Sequence, residues 1–375
     1  MTAPSPPFTP FPGARIAVVG LGRAGLPAAL RLASWGADVT AWDDKPEARA
    51  AAEAAGLTVQ DPAAGPFRAD ALLLSPGIPH ELPAPHPAAV AAKAAGVPVL
   101  CDAEFLYRAV LARHSKARFV GVTGTNGKST TTALIHHILR GAGVPCEVGG
   151  NLGPAALDLN ILGSEGVYTL EMSSYMLERI ATLRFNVAVM LNLSPDHLDR
   201  HGNMAGYAAA KARIFARQGA DDVAVLGQDD AMTAALGANL AARRVPISGA
   251  TPQPGGVWAE GRALRDDSGL ILDLGAAAAL PGAADGDAQP RRPRAPPRTK
   301  SVVALKALAQ SRLGADAVLP AVRALLRAMR LLGTRLDLGT YTTAMWAIGA
   351  SAAGGGGGGG GGRGGLAAAA AVAAA

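Results

Sequence analysis

Short apolar runs alternate with helical stretches from residue 15 to residue 227, and this alternation constrains the fold more than any other feature of the chain. "RIAVV" and "DVTAW" flank a glycine-rich turn and a helical stretch, and "ARFVGVTG" and "DVAVLG" open and close a second such series. Strands that alternate with helices pair in parallel through right-handed crossovers. We therefore predict an α/β fold with parallel sheets, whose ligands lie beyond the carboxyl ends of the strands.

Length and charge divide the chain into three parts. With 375 residues, it has room for two or three domains. We predict a Rossmann-like domain over residues 1–110, a central parallel-sheet domain over residues 111–282, and a low-complexity, disordered basic tail over residues 283–375. The tail carries 12 Lys and Arg against 4 Asp and Glu, while the whole chain has a net charge of +6. Because the tail has neither interleaved aromatic residues nor a recognisable module, its basicity does not indicate a nucleic-acid partner.

Cysteine content and hydropathy predict the compartment. Cys101 and Cys146 are the only cysteines and stand far apart, which suggests neither a disulfide framework nor a zinc motif. No uncharged apolar run reaches the ~18 residues that a membrane-spanning helix needs. We expect a cytoplasmic monomer without a membrane partner.

The segment "GVTGTNGKST" (121–130) has the residue types of a phosphate-binding loop without its usual spacing. The common pattern places four residues between its first Gly and the Gly-Lys pair, and Val122 stands where that first Gly would be. The segment nevertheless lies between a buried strand and a helix, where such loops occur. An ordinary glycine turn with an exposed lysine is the alternative.

The residue types of this loop suit a nucleotide. Gly124, Gly127 and the backbone amides of residues 125–129 can wrap an anion at the helix N-terminus. Lys128 would neutralise β- and γ-phosphate oxygens, and Ser129 would offer a hydroxyl to Mg²⁺. The segment therefore predicts a triphosphate site.

Three further residues are candidates for the same site. Glu171 closes a predicted strand, where its carboxylate would be a hard oxygen ligand for Mg²⁺. His197 follows another strand in "DHLD", and Lys211 lies in an amphipathic helix. From the pattern alone, an exposed carboxylate, a structural histidine and a solvated lysine are the alternatives.

A second glycine-rich motif lies near the N-terminus. "GLGRAG" (20–25) fits GxGxxG after a strand, and Asp43 closes the next strand. By itself this pattern indicates a nicotinamide dinucleotide site and an NAD-dependent dehydrogenase. A purely structural βαβ turn is also compatible with it.

The chain resembles the Mur ligase family from about residue 14 to Gly282, most specifically in five segments that follow one another in the central domain, which the resemblance implies to bind ATP. The resemblance implies an ATP-dependent ligase that forms an amide bond through an acyl phosphate in peptidoglycan precursor synthesis. Within the family, "GLGRAG" together with "SPGIP" (75–79) favours the enzyme that adds D-glutamate to UDP-N-acetylmuramoyl-L-alanine over a sister ligase. The five segments are "GVTGTNGKST", "GGNLG" (149–153), "LEMSSYMLE" (170–178), "LNLSPDHLDRHG" (191–202) and "YAAAKARIF" (207–215).

The resemblance also implies roles for individual residues, with Lys128, His197 and Lys211 as the catalytic ones. The family's lysine at the last position is carbamylated by CO₂, which requires a neutral amine and hence a lowered pKa. ATP would be held by Gly124, Thr125, Asn126, Gly127, Lys128, Ser129 and Thr130. Two Mg²⁺ ions would be held by Ser129, Glu171, His197 and Lys211. The UDP-linked substrate would contact Gly22, Arg23, Ala24, Asp43, Asp44 and Gly77, with Asn151 and Ser173 nearer its acceptor end.

Two features depart from the family. Tyr175 and Met176 stand where the family often has Phe and Gln, so an amide contact to substrate is absent or replaced. The family continues after "LPG" with a His-Asn pair and a third domain that binds D-glutamate, but no Asn follows Asn239 and no His follows His201. We hypothesise a shifted reading frame near Ala283. The alternative to a working ligase is an inactive remnant that binds UDP-linked sugar and ATP without turnover.

Overall fold

The computed structural model describes residues 8–141, 144–151, 153–260 and 263–273, which form two β-sheets with helices packed against them. The predicted mixed α/β fold with parallel sheets is therefore confirmed. The tail predicted over residues 283–375 lies outside the described residues.

The first sheet has five parallel strands in the order β3-β2-β1-β4-β5. The central strand β1 is apolar and buried after its first residue, as expected for a parallel strand covered on both faces. The chain turns in opposite directions on either side of β1, which opens a crevice at the carboxyl ends of β1 and β4. The strands are β1 (Arg15–Val19), β2 (Asp38–Trp42), β3 (Thr58–Val59), β4 (Ala71–Leu74) and β5 (Val99–Leu100), and the intervening helices are α1 (Gly25–Ser34), α2 (Pro46–Ala54) and α3 (Pro87–Ala94).

The helix α4 (Asp102–Ala112) connects the two sheets. Its buried side chains, including Phe105 and Leu106, belong to an apolar cluster that also contains Val18 of the first sheet and Tyr168 of the second. The sheets therefore share a core. The predicted domain boundary at residue 110 falls in the last turn of α4 and stays a prediction.

The second sheet has nine strands in the order β14-β13-β12-β11-β10-β9-β6-β8-β7. All pairs from β7 to β12 are parallel, whereas β12, β13 and β14 pair antiparallel. The sequence predicted a parallel central sheet and did not predict this antiparallel edge, which the short connections between its strands make possible. The strands are β6 (Arg118–Thr123), β7 (Cys146–Gly150), β8 (Val167–Glu171), β9 (Val187–Met190), β10 (Val223–Gly227), β11 (Arg243–Ser248), β12 (Val257–Glu260), β13 (Ala263–Asp266) and β14 (Gly269–Asp273).

Helices that connect the strands of the second sheet position the polar clusters. The helix α5 (Lys128–Gly141) follows β6, and α6 (Ser174–Leu177) follows β8. The others are α7 (Leu198–His201), α8 (Met204–Ala212) and α9 (Ala231–Leu236). Within the described residues, no helix combines the length and apolar content needed to cross a bilayer.

Candidate nucleotide and substrate site

The glycine-rich loop lies between β6 and α5, at the carboxyl edge of the second sheet. Gly124 has φ of 144° and Gly127 has φ of 86°, a region that L side chains rarely adopt. A Cβ at Gly124 would also lie 3.0 Å from the Cβ of Leu191. Both glycines are therefore required by the path of the loop, which brings the chain from a central strand directly into a helix N-terminus.

Asn192 holds the first part of this loop. It is the second residue after the end of β9. The backbone N–H of Thr125 donates to the Asn192 carbonyl (2.9 Å), and that of Asn126 donates to Asn192 Oδ1 (2.9 Å). The Asn192 amide donates in return to the Asn126 carbonyl (3.0 Å). The prediction that all amides of residues 125–129 face an anion is therefore wrong for the first two. Those of residues 127–129 lie at the start of α5, where helical N–H groups lack a partner within the helix.

Two lysines converge on the loop from different helices. Lys128 Nζ donates to the carbonyls of Gly124 (3.0 Å) and Thr125 (2.9 Å). Lys211 Nζ donates to the same Gly124 carbonyl (2.8 Å) and to Thr123 Oγ1 (3.2 Å). Lys211 is buried, and burial, followed by the charge of Lys128, lowers its pKa to about 7. A large fraction of this amine is therefore neutral at physiological pH.

Glu171 lies beside these lysines at the end of β8. It pairs in register with Val122 of β6 and with Gly150 of β7. Its Oε1 accepts a hydrogen bond from Asn151 Nδ2 (2.9 Å), whereas its Oε2 is buried and has no hydrogen-bond partner among the described residues. Its charge also acts on Lys211. A buried carboxylate oxygen without a donor fits a divalent cation, because Mg²⁺ prefers such hard oxygen ligands.

His197 lies at the rim of the same edge. Its backbone adopts φ of 52°, and its side chain is 46% exposed. Its ring lies 5.0 Å from that of Tyr175 and 6.4 Å from that of Tyr207. Tyr207 stands between His197 and the loop, since its hydroxyl lies 3.2 Å from Thr125 Oγ1 and its ring 4.9 Å from Lys211 Nζ. The structure thus brings Lys128, Glu171 and Lys211 together and places His197 one aromatic ring away.

The structure supports only some of the predicted magnesium ligands. Among the described residues, no group of three or more His, Cys, Asp and Glu could hold a metal ion. The orphaned oxygen of Glu171, with Ser129 in the first turn of α5, is the part of the predicted set that fits a cation bound to phosphate. The metal role of His197 stays a prediction.

A cavity of about 320 Å³ joins the two sheets. Three of the predicted substrate residues, Arg23, Ala24 and Asn151, are among its lining residues. Met176 also lines the cavity. Its thioether therefore takes the place of the side-chain amide of the Gln that the family often has at this position. The cavity extends from the glycine-rich turn of the first sheet to the residue that hydrogen-bonds Glu171.

The other predicted substrate residues have different surroundings. Asp43 accepts hydrogen bonds from the backbone N–H groups of Leu21 (2.7 Å) and Lys45 (2.9 Å), so its carboxylate fastens two turns together. Ser173 Oγ accepts from the N–H of Met176 (3.2 Å) and caps α6. Five of the predicted substrate residues do not line the cavity, namely Gly22, Asp43, Asp44, Gly77 and Ser173.

Three residues of this region were not predicted from the sequence. Asn192 and Tyr207 hold the loop, and Arg179 joins the two sheets from a buried position. Asn192 had a detectable signal, since a polar residue just after a buried strand belongs to the ligand edge of a parallel sheet. Tyr207 and Arg179 had none, because their contacts depend on packing between distant segments.

Comparison with known proteins agrees with this geometry. Residues 122–263 match the family described as "Mur ligase middle domain". The fold is similar to the crystal structure of UDP-N-acetylmuramate:L-alanyl-gamma-D-glutamyl-meso-diaminopimelate ligase from Neisseria meningitides, with a TM-score of 0.52 and 16% identity, over 84% of this chain and 98% of that one. The chain thus contains a Mur ligase middle domain within a fold of Mur ligase type, as its resemblance predicted.

Sequence similarity is higher to one kind of Mur ligase. Proteins named "UDP-N-acetylmuramoylalanine--D-glutamate ligase" match from Paramagnetospirillum magneticum (46% identical over 274 residues, 72% of this chain and 59% of that protein) and from Caulobacter sp. strain K31 (47% over 287 residues, 74% and 61%). The chain therefore spans about three fifths of the length of these relatives. Its similarity to this D-glutamate ligase, predicted from the sequence, is confirmed.

Proposed function

We propose that the chain is an ATP-dependent ligase that adds D-glutamate to UDP-N-acetylmuramoyl-L-alanine in peptidoglycan precursor synthesis. The observation that carries the proposal is the meeting of Lys128 and Lys211 on the carbonyl of Gly124, next to the unpaired oxygen of Glu171. Two amines, helix N–H groups and a metal-type carboxylate at one strand edge suit a triphosphate with its cation. The similarity to the D-glutamate ligases supports the choice of substrates.

The reaction would proceed in two steps. The terminal carboxylate of the UDP-linked substrate attacks the γ-phosphorus of ATP, which forms an acyl phosphate and releases ADP. The amine of D-glutamate then attacks the acyl carbon, the C–O bond to phosphate breaks, and the nitrogen loses a proton. Lys128 would neutralise charge on the transferred phosphoryl group, and the N–H groups at the start of α5 would orient the phosphates.

The cation would supply further charge neutralisation on the phosphates. Ser129 and Glu171 would hold one ion, and His197 with Lys211 would hold a second. We propose that Lys211 serves there as a carbamate, because an amine with a pKa of about 7 is available in its neutral form to react with CO₂. Its hydrogen bonds to Thr123 and Gly124 would then have to change, since a carbamate is anionic.

The cavity supports the proposed binding path for the nucleotide sugar. Arg23 and Ala24 at one end would contact the diphosphate, and Asn151 at the other lies against Glu171. The acceptor carboxylate would thereby reach the phosphate loop. The monomeric state and the cytoplasmic location stay predictions.

A phosphate-release assay tests the proposal. We expect release from ATP only when UDP-N-acetylmuramoyl-L-alanine and D-glutamate are both present, and loss of release in Lys128→Ala. Release with L-alanine or diaminopimelate as acceptor partner would instead indicate a sister ligase. Binding of ATP and the UDP-linked substrate without release would identify an inactive protein, and binding of NAD alone a dehydrogenase.

A further inference from the structure

Arg179 is a buried cation whose contacts cross between the two sheets. It follows α6 and is only 1% exposed. Its guanidinium donates to the carbonyls of Leu74 (2.8 Å) and Ser75 (2.9 Å) and to that of Ile78, all in the segment that ends β4. Its own carbonyl accepts from the N–H of Cys101 (3.0 Å). Arg179 therefore ties the end of β4 and the end of β5 to the second sheet.

The segment 74–78 belongs to the predicted nucleotide-sugar site. Ser75 lines the 320 Å³ cavity, and Gly77 is a predicted substrate contact. Buried carbonyls need a donor, since a buried acceptor without one destabilises the fold. The planar guanidinium serves several acceptors at once, which an ammonium group does with less defined geometry. Arg179 thus fixes where this turn lies.

The backbone of Arg179 is connected to the predicted magnesium ligand Glu171. The residue is reached from Glu171 through Ser173 and the short helix α6. The next residues are held in turn by Glu104 of α4, whose carboxylate accepts from the N–H groups of Ala181 and Leu183, each at 2.9 Å. The segment after Glu171 is therefore held to the end of β4 by the cation Arg179 and to α4 by the anion Glu104.

Charge persists at this site despite burial. Desolvation lowers the pKa of Arg179 to about 10, which keeps the guanidinium protonated at neutral pH. The neighbouring cation Arg200 donates to the carbonyl of Gly77 (3.2 Å). Arg200 therefore contacts the same turn as Arg179 does, at Gly77, which is a predicted substrate contact.

We propose that Arg179 is a positioning residue that holds the 74–78 turn of the nucleotide-sugar site at a fixed place relative to Glu171. Its role concerns the UDP-linked substrate and leaves ATP binding unaffected. The identity of that substrate rests on the proposed function, whereas the anchoring of the turn does not.

Arg213 offers a matched control. Its guanidinium also donates to two carbonyls, those of Leu177 (2.8 Å) and Ile180 (2.7 Å), but both lie in the segment that follows β8 of the second sheet. Arg179→Met and Arg213→Met therefore remove the same type of contact, and only the first removes hydrogen bonds to the turn after β4. Arg179→Lys keeps the charge and tests the requirement for the planar group.

Two measurements on the full chain decide the proposal. Hydrogen exchange of residues 74–80 should accelerate at least about tenfold in Arg179→Met and stay unchanged in Arg213→Met. Calorimetry should show the Kd for UDP-N-acetylmuramoyl-L-alanine raised by about tenfold or more in Arg179→Met, with the Kd for ATP within about twofold of the wild type. Arg179→Lys should give intermediate values, and it replaces Arg179→Met in both comparisons if circular dichroism shows that the latter is unfolded.

Several results would overturn the proposal. They are unchanged exchange at residues 74–80, equal weakening of both ligands in Arg179→Met, or the same pattern in Arg213→Met. If the wild type fails to bind the UDP-linked substrate, the proposed function fails. The exchange comparison then still decides whether Arg179 anchors the turn.

Discussion

Lys128 and Lys211, which belong to different helices, donate hydrogen bonds to the same carbonyl oxygen of Gly124. Two ammonium groups on one acceptor repel each other, and this repulsion adds to burial in lowering the pKa of Lys211 to about 7. Negative charge close to the two lysines would offset this repulsion. A triphosphate, with Glu171 and its cation, would supply that charge.

The role of Lys128 predicts a loss of nucleotide affinity in Lys128→Ala. A charge-assisted hydrogen bond is worth about 1.5–3 kcal/mol, so the Kd for ATP should rise by about tenfold to a hundredfold. Calorimetric titration measures it directly. Lys116→Ala removes an exposed lysine outside the loop and should leave the Kd unchanged. Equal affinity in both variants would remove Lys128 from the site.

The lowered pKa of Lys211 predicts a pH-dependent stability. Its pKa is about 7 in the folded protein against an ordinary value of 10.5, so between these values the unfolded chain binds more protons than the folded one. The free energy of unfolding should therefore rise with pH above about 7, by up to about 1.4 kcal/mol per pH unit. Below pH 7 the contribution is constant. Denaturant titrations of the wild type and Lys211→Met in CO₂-free buffers test this, and parallel curves would contradict it.

The unpaired oxygen of Glu171 predicts opposite effects on binding and on stability. Glu171→Gln keeps the shape but removes the charge, so the part of ATP affinity that depends on Mg²⁺ should fall by at least about tenfold. Without ligands the variant should be as stable as the wild type or more so, because burying a carboxylate with one oxygen that has no donor is costly. Glu165→Gln, at an exposed position, is the control. A Glu171→Gln variant with full Mg²⁺ dependence would exclude the metal role.

Two glycines of the N-terminal motif predict a contrast in stability. A Cβ at Gly25 would lie 1.8 Å from the carbonyl oxygen of Gly20, whereas at Gly22 it would meet nothing within 4 Å. Gly25→Ala should therefore destabilise the fold by about 2 kcal/mol or more, and Gly22→Ala should leave the melting temperature nearly unchanged. Equal melting temperatures would show that the turn can move away from α1.

Much of the fold could be predicted because it depends on local pattern. The strand over Asp38–Trp42 was predicted with the observed bounds, since apolar runs, turn glycines and helical stretches each leave a signal along the chain. The antiparallel edge β12–β14 was missed, because pairing direction depends on the connections and not on the strands themselves. The helix α4 was also missed, although Phe105 in it helps to join the two sheets.

The site was predictable where chemistry lies within one motif and less so where it depends on packing. Lys128 follows the loop after β6 and Glu171 ends β8, so the edge at which they meet could be predicted from the parallel order of the strands. Asn192 accepts hydrogen bonds from two backbone amides of the loop. This could not be predicted from the sequence, because it depends on the register of β9 beside β6. The same holds for the buried interaction of Arg179 with distant carbonyls.

Binding of a triphosphate and its cation at this edge of the second sheet would be seen directly in a crystal structure with a non-hydrolysable ATP analogue and Mn²⁺ in place of Mg²⁺. We expect the phosphates to lie against residues 127–129 and an anomalous peak within coordinating distance of Glu171 Oε2, with Lys128 turned from the Gly124 carbonyl toward the phosphate. A nucleotide bound elsewhere, or a metal peak away from Glu171, would contradict it.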